Sequence, residues 1–177
     1  PVASTILRND TKNGFIRFTD MTEEVAPQLL TIGLVCDAVW TDYNNDGWKD
    51  LVIAGEWMPI SFFKNVEGKL TNETATAGIA HWSGMWNCIR SGDFDGDGDI
   101  DFIAGNIGEN AFLSKDKGYP VKNYYGDFDK NGVFESITTK YIKEKGGSFN
   151  EYTMHNRDDV LDQLPSLKKS FLTYKSF

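Results

Sequence analysis

Apolar residues along the chain come in short bursts rather than at helical spacing, and each burst is bounded by Gly, Asn or Asp. Residues 34–40, 85–89 and 121–125 are β-branched or aromatic runs, each followed by an acidic stretch. Beyond the acid lie three more such runs, 51–55, 102–105 and 136–142. Short bounded runs of this composition predict strands. A second phrase occurs twice. Leu7, Arg8 and Asn9, a turn at Gly14, then Phe18 and Thr19 parallel Phe63, Lys64 and Asn65, a turn at Gly68, then Leu70 and Thr71. Each phrase reads as a strand–turn–strand hairpin.

Together the two patterns give a repeating unit of about four short strands with an acidic loop between the first two. That is the plan of a β-propeller blade. The expected fold is therefore all-β, a partial propeller segment of about three four-stranded blades spanning 1–177. Residues 1–30 would end a preceding blade, 31–77 and 78–118 would form two blades, and 119–177 a divergent one with a helical tail. In that tail Asn156 can cap a helix with Asp159 three residues on, and Val160, Leu161 and Leu164 share a face. Pro165 interrupts, Ser166 can cap again, and Leu167, Phe171 and Leu172 continue at helical spacing, so two short helices are expected.

Composition changes this picture little. The 177 residues are 40% hydrophobic and 25% charged, with 17 Gly against 5 Pro, as suits many tight turns. The net charge of −8 argues against nucleic acid, whose binders carry basic patches. Much of the acid sits in three loops, and three divalent cations would bring −8 to −2. Cys36 and Cys88 lie in apolar runs and are expected to be buried, small hydrophobes, with a disulfide as the alternative. No apolar run approaches the roughly 18 residues of a membrane span. The start lacks an initiator Met and a signal peptide, so the chain is expected to begin inside a longer polypeptide.

The acidic loops carry the chemistry. Asp42, Asn44, Asp46 and Gly47, then Asp93, Asp95, Asp97 and Gly98, then Asp127, Asp129, Asn131 and Gly132 all fit D-x-[DN]-x-[DN]-G. Ca²⁺ takes six to eight oxygens, and alternate side chains of one tight loop converge to supply them. Position 7 would add the carbonyls of Trp48, Asp99 and Val133. An EF-hand closes with Glu at position 12, but here that position holds Ile53, Ala104 or Thr138. Position 9 is acidic instead: Asp50, Asp101 and Glu135. The expected ligands are therefore positions 1, 3, 5, 7 and 9 of 42–50, 93–101 and 127–135. The third loop departs furthest, because Asn131 and Glu135 change charge and reach.

These loops, each with the strand that follows, resemble the FG-GAP/VCBS repeat family, which includes integrin α-subunit propellers and many secreted bacterial proteins. Residues 55–60, Gly-Glu-Trp-Met-Pro-Ile, and the tail 163–169 resemble its ASPIC/UnbV-associated branch, common in Bacteroidota. The resemblance implies a ring of about seven blades with calcium between the first and second strands of a blade. About three blades are present here, so further blades of a longer chain or a neighbouring subunit would complete the ring.

Paired carboxylates also invite a glycosidase reading, but acids alternating in one tight loop point at a common centre. Glu56 and Glu109 are the better acid–base candidates, and neither belongs to a convincing catalytic constellation. His81 and His155 share no zinc-ligand spacing with the cysteines. Trp57 and Trp82, beside polar turns, are the candidate ligand-stacking pair. The function expected is a calcium-binding extracellular or cell-surface module, on a bacterial outer surface or in the periplasm, that meets a protein or glycan. A propeller-based polysaccharide lyase or hydrolase, and a purely architectural envelope subunit, are the alternatives.

Overall fold

The computed structural model describes residues 3–108, 118–173 and 175, and the chain divides into two compact units, 1–107 and 108–177. The first opens with the expected hairpin. Strand β1 (Leu7–Asn9) runs antiparallel to β2 (Phe18–Asp20), with Leu7 opposite Asp20. Two turns of helix then appear that the apolar pattern does not announce: α1 (Thr22–Val25) and a 3₁₀ turn (Pro27–Thr31). Asp20 starts them, its Oδ1 accepting from the Thr22 amide at 2.9 Å and the Thr22 hydroxyl at 2.6 Å. Pro27 stands at the first turn of the 3₁₀ segment, where its fixed φ suits and its missing N–H costs nothing.

A complete four-stranded blade follows: β3 (Leu34–Thr41), β4 (Asp50–Met58), β5 (Ser61–Val66) and β6 (Lys69–Asn72). Neighbours in sequence pair antiparallel, with Thr41 opposite Asp50, Leu51 opposite Phe63 and Val66 opposite Lys69. Glu67 and Gly68 close the last hairpin with φ of 51° and 89°, the doubly left-handed turn that matches strand twist. Residues 51–54 of β4 are all buried, because this strand is covered on both faces. Leu51 and Ile53 join Ala26, Leu29, Met58, Phe63 and Leu70, while Val52 and Ala54 meet Ile89.

The next blade begins with β7 (Gly84–Gly92) paired to β8 (Asp101–Asn106). It is not separate from its predecessor. Glu56 and Met58, flanking a bulge at Trp57, pair with Met85 and Gly84, so β3 to β8 form one six-stranded sheet. The rest of the blade expected over 78–118 falls partly on 109–117, outside the described residues.

The second unit has a three-stranded antiparallel sheet, β9 (Lys122–Gly126), β10 (Glu135–Lys143) and β11 (Phe149–Thr153), with β10 central. Helix α2 (Arg157–Gln163) starts at a capping box in which Asn156 and Asp159 serve each other's amides, as expected. The second helix is a 3₁₀ turn (Pro165–Lys169) with Pro165 in its first turn. Ser166 does not cap it; no side chain does, since proline already removes one of the amides a cap would serve. Val160, Leu161 and Leu164 are buried, and Gln163 Oε1 accepts from the Ser136 amide at 3.1 Å, tying α2 to β10.

Candidate metal centre

Three loops sit between paired strands: 42–49 between β3 and β4, 93–100 between β7 and β8, and 127–134 between β9 and β10. Each wraps around its own side chains in the same way. Position 1 accepts the amide of the glycine at position 6: Gly47 to Asp42 at 2.9 Å, Gly98 to Asp93 at 3.0 Å, Gly132 to Asp127 at 3.0 Å. Position 3 accepts from position 5, at 3.0 Å for Asn44, 3.2 Å for Asp95 and 3.2 Å for Asp129. Position 5 accepts the amides of Trp48, Asp99 and Val133 at 2.9, 2.9 and 2.7 Å. Position 9, now the first residue of the exit strand, accepts from position 2. Those pairs are Asp50 with Tyr43 at 3.2 Å, Asp101 with Phe94 at 2.9 Å and Glu135 with Phe128 at 2.8 Å.

Backbone conformation repeats as well. Positions 4 and 6 are left-handed in every loop: Asn45 and Gly47 at 56° and 88°, Gly96 and Gly98 at 81° and 95°, Lys130 and Gly132 at 61° and 87°. Two left-handed residues separated by one wind the chain tightly at this place.

The convergence is visible in the acids. Oxygens of Asp93, Asp95 and Asp101 lie within 4.8 Å of one another, and so do those of Asp127, Asp129 and Glu135. Asn44 holds the third position of the first loop, so the matching trio there has two carboxylates. Like charges this close repel unless a cation or a proton intervenes. One oxygen is decisive for the chemistry. Glu135 is 3% exposed, its Oε2 is used by Phe128, and its buried Oε1 has no hydrogen-bond partner. A buried carboxylate with one unpaired oxygen, clustered with two other carboxylates, is costly to leave uncompensated and suits an oxygen-seeking cation.

The model of the FG-GAP-like repeat family matches residues 42–104. This stretch is an FG-GAP-like repeat. No curated protein sequence matches the chain. The matched FG-GAP-like segment runs from the first acidic loop through the blade β4–β6 to the strand after the second loop, and the third loop lies beyond it.

Most of the remaining candidates lie within the matched stretch. Trp82 is exposed, meets the His81 ring edge-on at 6.0 Å, and accepts from the Trp86 indole through its carbonyl at 3.2 Å. Trp57 is half-buried in the β4 bulge with φ of 61°, a strained value for a bulky residue. Trp40 and Trp48 are the other exposed tryptophans among the described residues. Glu56 is half-buried in β4, and Glu109 lies outside the described residues. Cys36 and Cys88 are free thiols, and both are exposed rather than buried. Their strands β3 and β7 alternate or stay open along that face, so an apolar run there does not imply burial.

Two features escaped sequence reasoning. Asp37 on β3 reaches β7, accepting the Ile89 amide at 3.0 Å and the Arg90 guanidinium at 2.5 Å. In the second unit Glu151 gathers Lys122 Nζ at 2.8 Å, the Tyr124 hydroxyl at 2.9 Å and the Thr139 hydroxyl at 2.5 Å. Both need long-range pairing to assemble, and no local spacing marks them.

Proposed function

We propose that this chain is a calcium-rigidified propeller segment that serves as a binding or docking module for a protein or glycan outside the cell or at its surface. The observation that carries the calcium reading is the buried Glu135 carboxylate, a member of the third acidic trio whose Oε1 has no hydrogen-bond partner. All donors in the three loops are carboxylate, amide or carbonyl oxygens, a set that suits Ca²⁺ and not Zn²⁺. Positions 1, 3, 5 and 9 would hold the ion through side chains and position 7 through its carbonyl.

The ion's chemistry here is structural. It would neutralise carboxylates that otherwise repel and would fix loops whose ordering costs conformational entropy. The loops join the first two strands of each blade, so fixing them fixes strand register. Extracellular calcium is near millimolar, enough to fill sites of modest affinity. The binding role follows from the surface left over, exposed Trp82 beside His81 and exposed Trp48 at the rim of the first loop.

Thermal unfolding tests the reading. At calcium a hundredfold above its dissociation constant, binding contributes about 2.7 kcal/mol, and Tm should rise by roughly 5–10 °C over a chelated sample. Magnesium at equal concentration should do less, since it retains its waters. Identical melts in chelator and in millimolar calcium would remove the structural-ion claim.

A further inference from the structure

Positions 9 of the first and third loops are both acidic and both buried, yet they are satisfied in opposite ways. Asp50 is fully buried and each of its oxygens already accepts a backbone amide, Oδ2 from Tyr43 at 3.2 Å and Oδ1 from Asn65 at 2.8 Å. The Asn65 side chain closes the same junction by donating to the Lys49 carbonyl at 2.8 Å. Asp50 thus staples β5 to the loop, and drawing it toward an ion would strain two amide bonds. A cation also stands at the rim already, Lys64 Nζ lying 3.8 Å from Asp46 Oδ2. Charge does not separate the first loop from the third, since each has three carboxylates among positions 1, 3, 5 and 9, with Asn44 in the first and Asn131 in the third.

In the third loop the position 9 acid is not saturated in this way. Glu135 spends Oε2 on Phe128 and leaves Oε1 buried without a hydrogen-bond partner, and one of its carboxylate oxygens lies within 4.8 Å of oxygens of Asp127 and Asp129. The energetic need for an external cation is therefore greater at the third loop than at the first.

We infer that the third acidic loop outranks the first for the cation, and that in the first loop Asp50, Asn65 and Lys64 do part of the work an ion does elsewhere. The inference rests on the calcium reading above and orders its sites. With ligand charge equal, the difference comes from how far the position 9 oxygens are already engaged, and it should reach roughly tenfold or more.

Amide resonances of Gly47 and Gly132 give one reporter per loop, since each donates to the position 1 carboxylate that an ion would engage. In a calcium titration of the whole chain followed by NMR, the Gly132 signal should reach its midpoint at roughly one-tenth the calcium needed for Gly47, or less. Glu135→Gln should delay Gly132 and leave Gly47 in place, and Asp129→Asn should do the same should the buried change prevent folding. Lys64→Gln should move the Gly47 midpoint several-fold toward lower calcium. A Gly47 midpoint at or below that of Gly132 overturns the ranking while leaving calcium binding intact. If neither glycine responds to calcium, the metal reading fails and the ranking with it.

Discussion

Asp37 illustrates how one carboxylate sets the junction between successive blades. It stands at the bulge between Val35 and Asp37 in the β3–β4 ladder and donates nothing, while Ala38, Ile89 and Arg90 all donate to it. The Ile89 amide, then the Arg90 guanidinium, hold its pKa below the usual carboxylate range. Asp37→Ala would leave the Ile89 amide without that acceptor beside a core residue, and a loss of about 1–3 kcal/mol in denaturant unfolding is expected. Glu151 offers a pH test. Lys122, then the Thr139 hydroxyl, lower its pKa to about 2. A depressed carboxylate contributes stability that is complete above the unfolded value near 4.3 and disappears as pH falls through the folded one. The Tm difference between the native chain and Glu151→Gln should hold at pH 7 and shrink steadily between about pH 4 and pH 2. A difference that does not change over that interval would show that the ion pair is not the source.

At the level of elements, close approach of β3 and β4 depends on a position without a side chain. A Cβ on Gly55 would lie 2.3 Å from the Leu34 carbonyl oxygen and 2.7 Å from Met58 Sδ. The backbone oxygen cannot swing away, so Gly55→Ala should destabilise the chain by about 1–3 kcal/mol or more, seen as a lower denaturant midpoint. Asn156→Ala removes one half of the α2 capping box and should cost about 1 kcal/mol. The elements that could be read from the sequence are those with a local signature: hairpins closed at Gly14 and Gly68, runs flanking three acidic loops, and the Asn156 cap. Strand β11 was missed although Gly146 and Gly147 sit in its turn, because the run after them, Phe-Asn-Glu-Tyr-Thr, is mostly polar. Helix α1 was missed because four residues are too few to show a period. Within the site, the acids at positions 1, 3 and 9 come together in the second and third loops. The expected position 5 acid Asp97 stands outside that cluster, and the spacing does not show that Asp50 is saturated and Glu135 is not. That difference comes from β5, which reaches Asp50 through Asn65, fifteen residues away in sequence.

Across the molecule, no helix among the described residues is long and apolar enough to cross a membrane. The 1–107 unit holds a whole blade and the opening of the next on one sheet, and the 108–177 unit holds a third acidic loop on its own three-stranded sheet. The same cradle thus recurs in two compact units, each time between two sequence-adjacent antiparallel strands. Under the proposed reading the recurring cradle holds the same kind of occupant each time, Ca²⁺. The direct measurement is diffraction from crystals grown in millimolar calcium. It should show a peak surrounded by oxygens at about 2.3–2.6 Å among Asp127, Asp129 and Glu135, with Glu135 Oε1 among its ligands. Clear density for the loop with only water, or nothing, inside that trio would contradict the account.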